Sequence, residues 1–198
     1  MNTDSHLDID KLTKLALQGD VDLQLKLAYM YRNGECIEKD YEKAVYWFKQ
    51  AAEQGHSHAQ YNLALRYYNG QGVKKDIKEA TLWFAKAADQ GHSQALYALG
   101  FRYLNGDGVA KNRELAMEIF LKVAEQGFSY AQYNLGKQFY DFLDYKKAVI
   151  WLTKACEQNH PQAQSLLANC YRLGRGVDKD EEKAKYWSEK ASTFDNKK

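Results

Sequence analysis

Residues 59–91 read AQYNLALRYYNGQGVKKDIKEATLWFAKAADQG, two helical patterns with a glycine-rich joint between them. In the first part Ala59, Leu63, Ala64 and Tyr67 fall at i, i+4, i+5 and i+8, one face of a helix, here helix A. In the last part Ala80, Trp83, Phe84, Ala87 and Ala88 fall at i, i+3, i+4, i+7 and i+8 and give helix B its own apolar stripe. A single helical hairpin cannot bury both stripes, so the pattern calls for neighbours of the same kind.

The neighbours are in the chain. The joint NGQGVKKD at 69–76 returns as NGECIEKD at 33–40, NGDGVAKN at 105–112 and LGRGVDKD at 173–180. The first three copies lie 36 residues apart, as do Gly19, Gly55, Gly91 and Gly127. Ala44, Ala80, Ala116, Ala148 and Ala184 keep this beat, and so do Leu27, Leu63, Leu99, Leu135 and Leu167. One step is 32 rather than 36, because FYDFLDYKKA replaces the joint with a version four residues shorter. Self-similarity on such a period means stacked supersecondary units. The expected architecture is all-α: a right-handed α-α superhelix (solenoid) of about five helix-turn-helix repeats in a single domain, 1–198. The repeats are placed at approximately 20–55, 56–91, 92–127, 128–159 and 160–195, with an N-terminal capping helix at 7–18 and a disordered tail at 196–198.

Boundary chemistry agrees with the period. Asp40, Asp76, Asn112, Asp144 and Asp180 stand where helix B begins, and Asp76 with Glu79 has capping-box spacing. Gly55, Gly91 and Gly127 end helix B, and the single proline, Pro161, opens the fifth helix A. The octet is therefore read as the A–B joint: its first glycine ends helix A, its Val or Ile tucks back, and its Asp or Asn starts helix B. A phosphate cradle would need Walker spacing or GxGxxG after a strand, and neither is present. Trp47, Trp83, Trp151 and Trp187 recur in helix B, with Ile119 at the third position, and are read as core.

Composition excludes several function classes. With 28 basic and 26 acidic residues the net charge is +2, so no strong field calls for nucleic acid or an anionic membrane surface. No apolar run approaches membrane-spanning length, and the start MNTDSHLDIDKL carries no secretory signal. Cys36, Cys156 and Cys170 fit neither a zinc site nor a disulfide framework, which points to the reducing cytoplasm unless a leader has been removed. Aromatic residues reach 14%, fifteen of them Tyr, a composition that suits amphipathic helices.

Two patterns imitate active sites. GHSHA, GHSQA and GFSYA, at 55, 91 and 127, resemble a nucleophile elbow, but no strand precedes them, so Ser57, Ser93 and Ser129 are read as caps of helix A. His56, His58, His92 and His160 gather at the same turns without metal-ligand spacing and are read as exposed turn residues. No catalytic residue, cofactor or metal is expected.

The motif A-x-x-x-L-[AG]-x-x-Y-x-x-G-x-G-V-x-x-D-x-x-x-A-x-x-W-[FY]-x-x-A-A-x-x-G, present from Ala59 to Gly91, resembles the Sel-one-like repeat, a relative of the tetratricopeptide repeat. The resemblance covers about residues 20–195. Local departures are Cys36 for a loop glycine, Ile119 for Trp, and the short joint of the fourth unit. It implies an α-solenoid that binds other proteins as an adaptor or regulatory scaffold. The alternatives are a dedicated immunity-type binder that neutralises a toxin or effector and, more remotely, a hydrolase of β-lactam or acyl substrates. Disulfide-rich relatives are linked to penicillin binding, but this chain lacks cysteine pairs within a unit, SxxK and KTG.

Positions that vary between repeats are free to serve a partner. Helix A offers one row at Tyr29, Leu65, Phe101, Lys137 and Asn169, and a second at Arg32, Tyr68, Leu104, Tyr140 and Arg172. Both rows change chemistry yet stay large. A third, more repetitive row, Tyr61, Tyr97 and Tyr133, is read as half structural. Together these form the expected concave, partner-binding face, since aromatic and Arg side chains dominate binding hot spots. Lys137, Arg32 and Arg172 would hold acidic groups of a protein or peptide partner. The chain itself is expected to be a monomer or weak dimer.

Overall fold

The computed structural model describes residues 9–193, which form eleven α-helices and no strand. After α1 (Ile9–Leu17) come α2 (Val21–Asn33) and α3 (Tyr41–Glu53), α4 (Ser57–Asn69) and α5 (Ile77–Asp89), and α6 (Ser93–Asn105) and α7 (Arg113–Glu125). Then follow α8 (Ser129–Asp141), α9 (Tyr145–Glu157), α10 (Pro161–Leu173) and α11 (Glu181–Ser192). Even-numbered helices are helix A and odd-numbered ones helix B, and α1 lies within the span expected for a capping helix. Its first two expected residues and the tail at 196–198 lie outside the described residues.

The helices group into two compact units, divided between Arg113 and Glu114. In the first, α1 to α6 pack in series, each of α1 to α5 on the next; in the second, α8 packs on α9, α9 on α10 and α10 on α11. Leu27, Phe48, Leu63 and Phe84 are fully buried in the first unit, and Leu135, Leu152 and Leu167 in the second. Small residues let the helices approach: a Cβ on Gly136 would lie 2.9 Å from Leu152 Cγ.

Local chemistry sets the helix ends. The Asp76 carboxylate accepts from the Glu79 amide at 3.0 Å, and Asp40, Asp144 and Asp180 cap α3, α9 and α11 in the same way. The returning arm of the expected capping box is not used, because the Asp76 amide already donates to Tyr67 O, 3.0 Å away. That bond recurs in the other joints and ties the start of each helix B to the last turn of its helix A. Helix A ends on a left-handed glycine, Gly70 in α4.

Three expectations are corrected. Ser57, Ser93 and Ser129 are the first residues of their helices, not the caps. The caps are His56, His92 and His160, whose Nδ1 accepts from Ala59, Ala95 and Ala163 amides at 3.4, 3.2 and 3.3 Å. These histidines are therefore not exposed turn residues: His92 and His160 are buried, His56 is half-buried, and only His58 is exposed. Among the tryptophans, Trp47 and Trp83 are core, but Trp151 and Trp187 are half-buried. Trp187 lies on α11, the last described helix, which packs chiefly on α10. Trp151 lies in the repeat with the short joint; the Lys154 ammonium stands 4.2 Å from its centroid, as Lys86 does at 3.9 Å from that of the buried Trp83.

Candidate partner-binding face

The face expected on helix A is built separately in each unit. In the first unit, Tyr29, Arg32, Leu65, Tyr68, Phe101 and Leu104 are all half-buried, so each keeps exposed surface on a fixed base. Tyr29 stands edge-on to Phe48 at 5.3 Å, its hydroxyl accepts from Asn62 Nδ2 at 3.0 Å, and the Arg32 guanidinium covers it at 4.9 Å. Arg32 is held in turn by Asn33 Oδ1 and Asn62 Oδ1. Tyr97 meets Phe101 edge to face at 5.0 Å, and Arg102 lies 4.3 Å over the ring of Tyr68. Rings and guanidinium groups fixed in this way lose few rotamers on binding.

In the second unit Tyr140 is half-buried, edge-on to Tyr145, and its hydroxyl accepts from Arg175. Lys137 is exposed but engaged with Asp141 at 3.0 Å. Arg172 is exposed and donates to Asn169 Oδ1 at 2.8 Å and to Ser188 Oγ at 3.3 Å. Both cations therefore have partners within the unit, and an acidic ligand would have to compete for them.

The third row proves to be tied to the histidine caps. Tyr61 stacks on His92 with centroids 4.7 Å apart, and Tyr133 on His160 at 4.8 Å, each at an interplanar angle of 22°. One ring face of each Tyr is thus spent on the stack. Burial pushes the Tyr61 hydroxyl above its usual pKa, and burial, helped by His58, pushes His92 below its own.

Sequence reasoning missed three sets of residues. The first is a glutamine ladder: Gln24, Gln60 and Gln132 donate to the carbonyls of Ala16, Ala52 and Ala124, closing the end of the preceding helix B. Gln54, Gln90 and Gln158 then donate to those same three side chains. Its signal was present, since Gln24, Gln60, Gln132 and Gln164 lie on the repeat. The second is a row on helix B, Tyr46, Leu82, Ile150 and Tyr186, each about half exposed. The third is a pair of buried arginines, Arg66 and Arg102, at the ends of α4 and α6.

Comparison with known families decides what kind of repeat this is. The Sel1 repeat family matches at residues 21–56, 57–92, 93–128, 129–160 and 161–193, nearly the whole described chain. The chain belongs to the Sel1 repeat family. A Sel1 repeat protein from Oxalobacter formigenes is similar at 32% identity and a TM-score of 0.85, with 98% of this chain and 84% of that one covered. The protective antigen c5321 of uropathogenic Escherichia coli, which displays an SLR fold, is similar at 32% identity and a TM-score of 0.89. That match covers 94% of this chain and 41% of the antigen, so the chain spans about two fifths of its length. Immunity protein Pa5087 from Pseudomonas aeruginosa shares the fold at 23% identity and a TM-score of 0.59, over 96% of this chain and 74% of that one. No curated protein matches the chain. Sel1 repeat proteins commonly mediate protein interactions. Among the described residues no helix is long and apolar enough to cross a membrane.

Proposed function

We propose that this Sel1 repeat protein is a non-catalytic interaction module, an adaptor or regulatory scaffold, that binds a partner protein or peptide along its helix-A face. The observation that carries this reading is the cluster on α4 and α6: the rings of Tyr68, Tyr97 and Phe101 are half-buried and braced by one another or by Arg102. Such anchors bury much area at little entropic cost. The protein acts in the cytoplasm, where its three unpaired cysteines stay reduced, and works as a monomer or weak dimer.

The test is affinity capture with wild type and with Tyr68→Ala plus Phe101→Ala, after circular dichroism has shown that both fold. Loss of the captured partner from the double variant is expected. Equal recovery would move the site elsewhere. The exposed helix-B row favours a second reading, contact through the opposite helices, and Tyr46→Ser plus Leu82→Ser is its counterpart in the same experiment. A dedicated binder would differ from an adaptor by holding one toxic protein with nanomolar affinity.

A further inference from the structure

The ends of α2 and α4 and the start of α3 border an open surface pocket of about 380 Å³ lined by Arg32, Asn33, Lys39, Tyr41, Arg66 and Gln71. Three of the six are cations. Arg66 is 8% exposed, and its buried Nε has no hydrogen-bond acceptor. Burial, and then the neighbouring Arg32, work against its charge. A buried guanidinium is costly unless an anion nearby offsets its charge. Arg32 is turned to the amide oxygens of Asn33 and Asn62, and Lys39 lies 4.8 Å from the centroid of the Tyr41 ring. None of the three cations forms an ion pair among the described residues. The nearby acids point elsewhere: Glu35 accepts from Asn33 Nδ2, and Asp40 pairs with Lys43.

The molecule contains its own control. Thirty-six residues on, Arg102 takes the place of Arg66, again 8% exposed. There the joint supplies Asp107, whose carboxylate lies 3.4 Å from Arg102 Nη1 as an ion pair. Nε and Nη1 of Arg102, like Nε of Arg66, have no hydrogen-bond acceptor among the described residues, so the two copies differ in the paired charge, not in the unbonded nitrogen. In the first site the register of Asp107 is held by Gln71, and the register of Tyr68 is held by Arg32. Between the two copies one acid has been withdrawn and one base added. The second copy places a carboxylate beside the buried guanidinium, so a carboxylate is the anion that the first copy lacks.

We propose that the Arg32–Lys39–Arg66 pocket is a carboxylate-binding site that takes an acidic side chain of a partner peptide, in the place that Asp107 fills one repeat later. The proposal rests on the reading of the chain as a protein-binding module and names the chemistry of one contact. Two forked guanidinium groups and an ammonium suit a single Asp or Glu side chain presented on an extended segment.

The test follows the arginine Nε–Hε resonances of the full chain by NMR at constant ionic strength. The probes are the blocked peptide acetyl-Ala-Glu-Ala-Glu-Ala-amide, its Gln counterpart and inorganic phosphate. The Glu peptide is expected to shift the Arg66 signal saturably and the Gln peptide to leave it. Gln71→Asp, which would supply the acid from within, is expected to move the Arg66 signal without any peptide and to weaken Glu-peptide binding at least about tenfold. Asp107→Gln is expected to open a second response at Arg102. Equal responses to the two peptides, a response to phosphate alone, or undiminished binding to Gln71→Asp would each overturn the proposal. If Gln71→Asp still captures the protein partner while Tyr68→Ala plus Phe101→Ala loses it, the carboxylate site falls and the helix-A face stands.

Discussion

The repeat formed by α4 and α5 and the one formed by α8 and α9 join their helices differently. In the first, the octet runs from Asn69 to Asp76, and its second glycine, Gly72, lies so close to the start of α3 that a Cβ there would overlap the Tyr41 carbonyl. Gly108 is similar in the next joint, where a Cβ would be 2.7 Å from Ile77 O, and Thr81 Oγ1 donates to Asp107 O. In the second, the chain turns through Phe142 and Leu143, both largely exposed, with Leu143 in left-handed conformation at φ +66°. Yet both joints keep the same tie between helices: Asp144 N donates to Phe139 O at 2.9 Å, as Asp76 N does to Tyr67 O. The octet therefore does two separable jobs. It links A to B, which four fewer residues can also do, and it leans on the preceding helix B, which needs the glycine.

The largest test of this contrast is at the tryptophans. Trp83→Ala is expected to cost ~3–5 kcal/mol, because the ring is buried in a repeat with a full octet. Trp151→Ala, in the repeat with the short joint, removes a half-buried ring and is expected to cost about half as much. Urea melts of both variants give the ranking, and a reversed order would break the comparison. Next comes Gly72→Ala, expected to destabilise by about 2–3 kcal/mol, because it adds left-handed strain at φ +73° to a clash with backbone. A melt within error of wild type would mean that the joint does not lean on α3 in solution.

The short joint makes the opposite prediction. Leu143→Gly removes a strained, exposed side chain that touches no core and is expected to stabilise by about 1 kcal/mol. Cys36 occupies the register of Gly72 in the first joint at φ +62° and is exposed, so Cys36→Gly is expected to stabilise by a similar amount. Destabilisation by either would show that these side chains hold contacts the structure does not contain.

Helix positions, Asp caps and glycine ends were legible because each depends on residues within one turn, and the 36-residue beat showed them several times over. Burial of Trp151 and Trp187 was not legible, since identical letters meet different neighbours there. The histidine caps escaped because His acts as an N-cap only when Nδ1 is unprotonated and the ring is packed, here against Tyr61 or Tyr133. The aromatic rows of helix A were visible as large, changing residues. The Arg66 pocket was not, because Arg66 and Arg102 read alike, and their difference lies in Gln71 and Asp107, which only the folded joint brings beside them.

The smallest effect concerns those caps and sharpens the contrast between full and short repeats, since α8 starts at Phe128 with no side-chain cap while α6 and α10 start at histidines. Burial pushes His92 and His160 below the ordinary imidazole value of 6.5. In the unfolded chain each takes up a proton near that value; in the folded chain it does so only at lower pH. The stability from neutral, capping imidazoles is thus fully present above about pH 6.5 and is lost as pH falls toward the folded values. Melting temperature is expected to be level from about pH 8 to pH 7 and to decline below it. Asp40, Asp144 and Asp180 add a separate loss nearer pH 4, since hydrogen bonds from Lys43, Lys147 and Lys183 hold their carboxyl groups below 3.8. The variant His92→Asn plus His160→Asn keeps an acceptor at each cap but removes the titration. Its melting curve should be flatter between about pH 7 and pH 5 and unchanged in the acid step. If its slope matched wild type, the imidazoles would not be the groups that titrate, and the caps of α6 and α10 would be no more pH-sensitive than the bare start of α8.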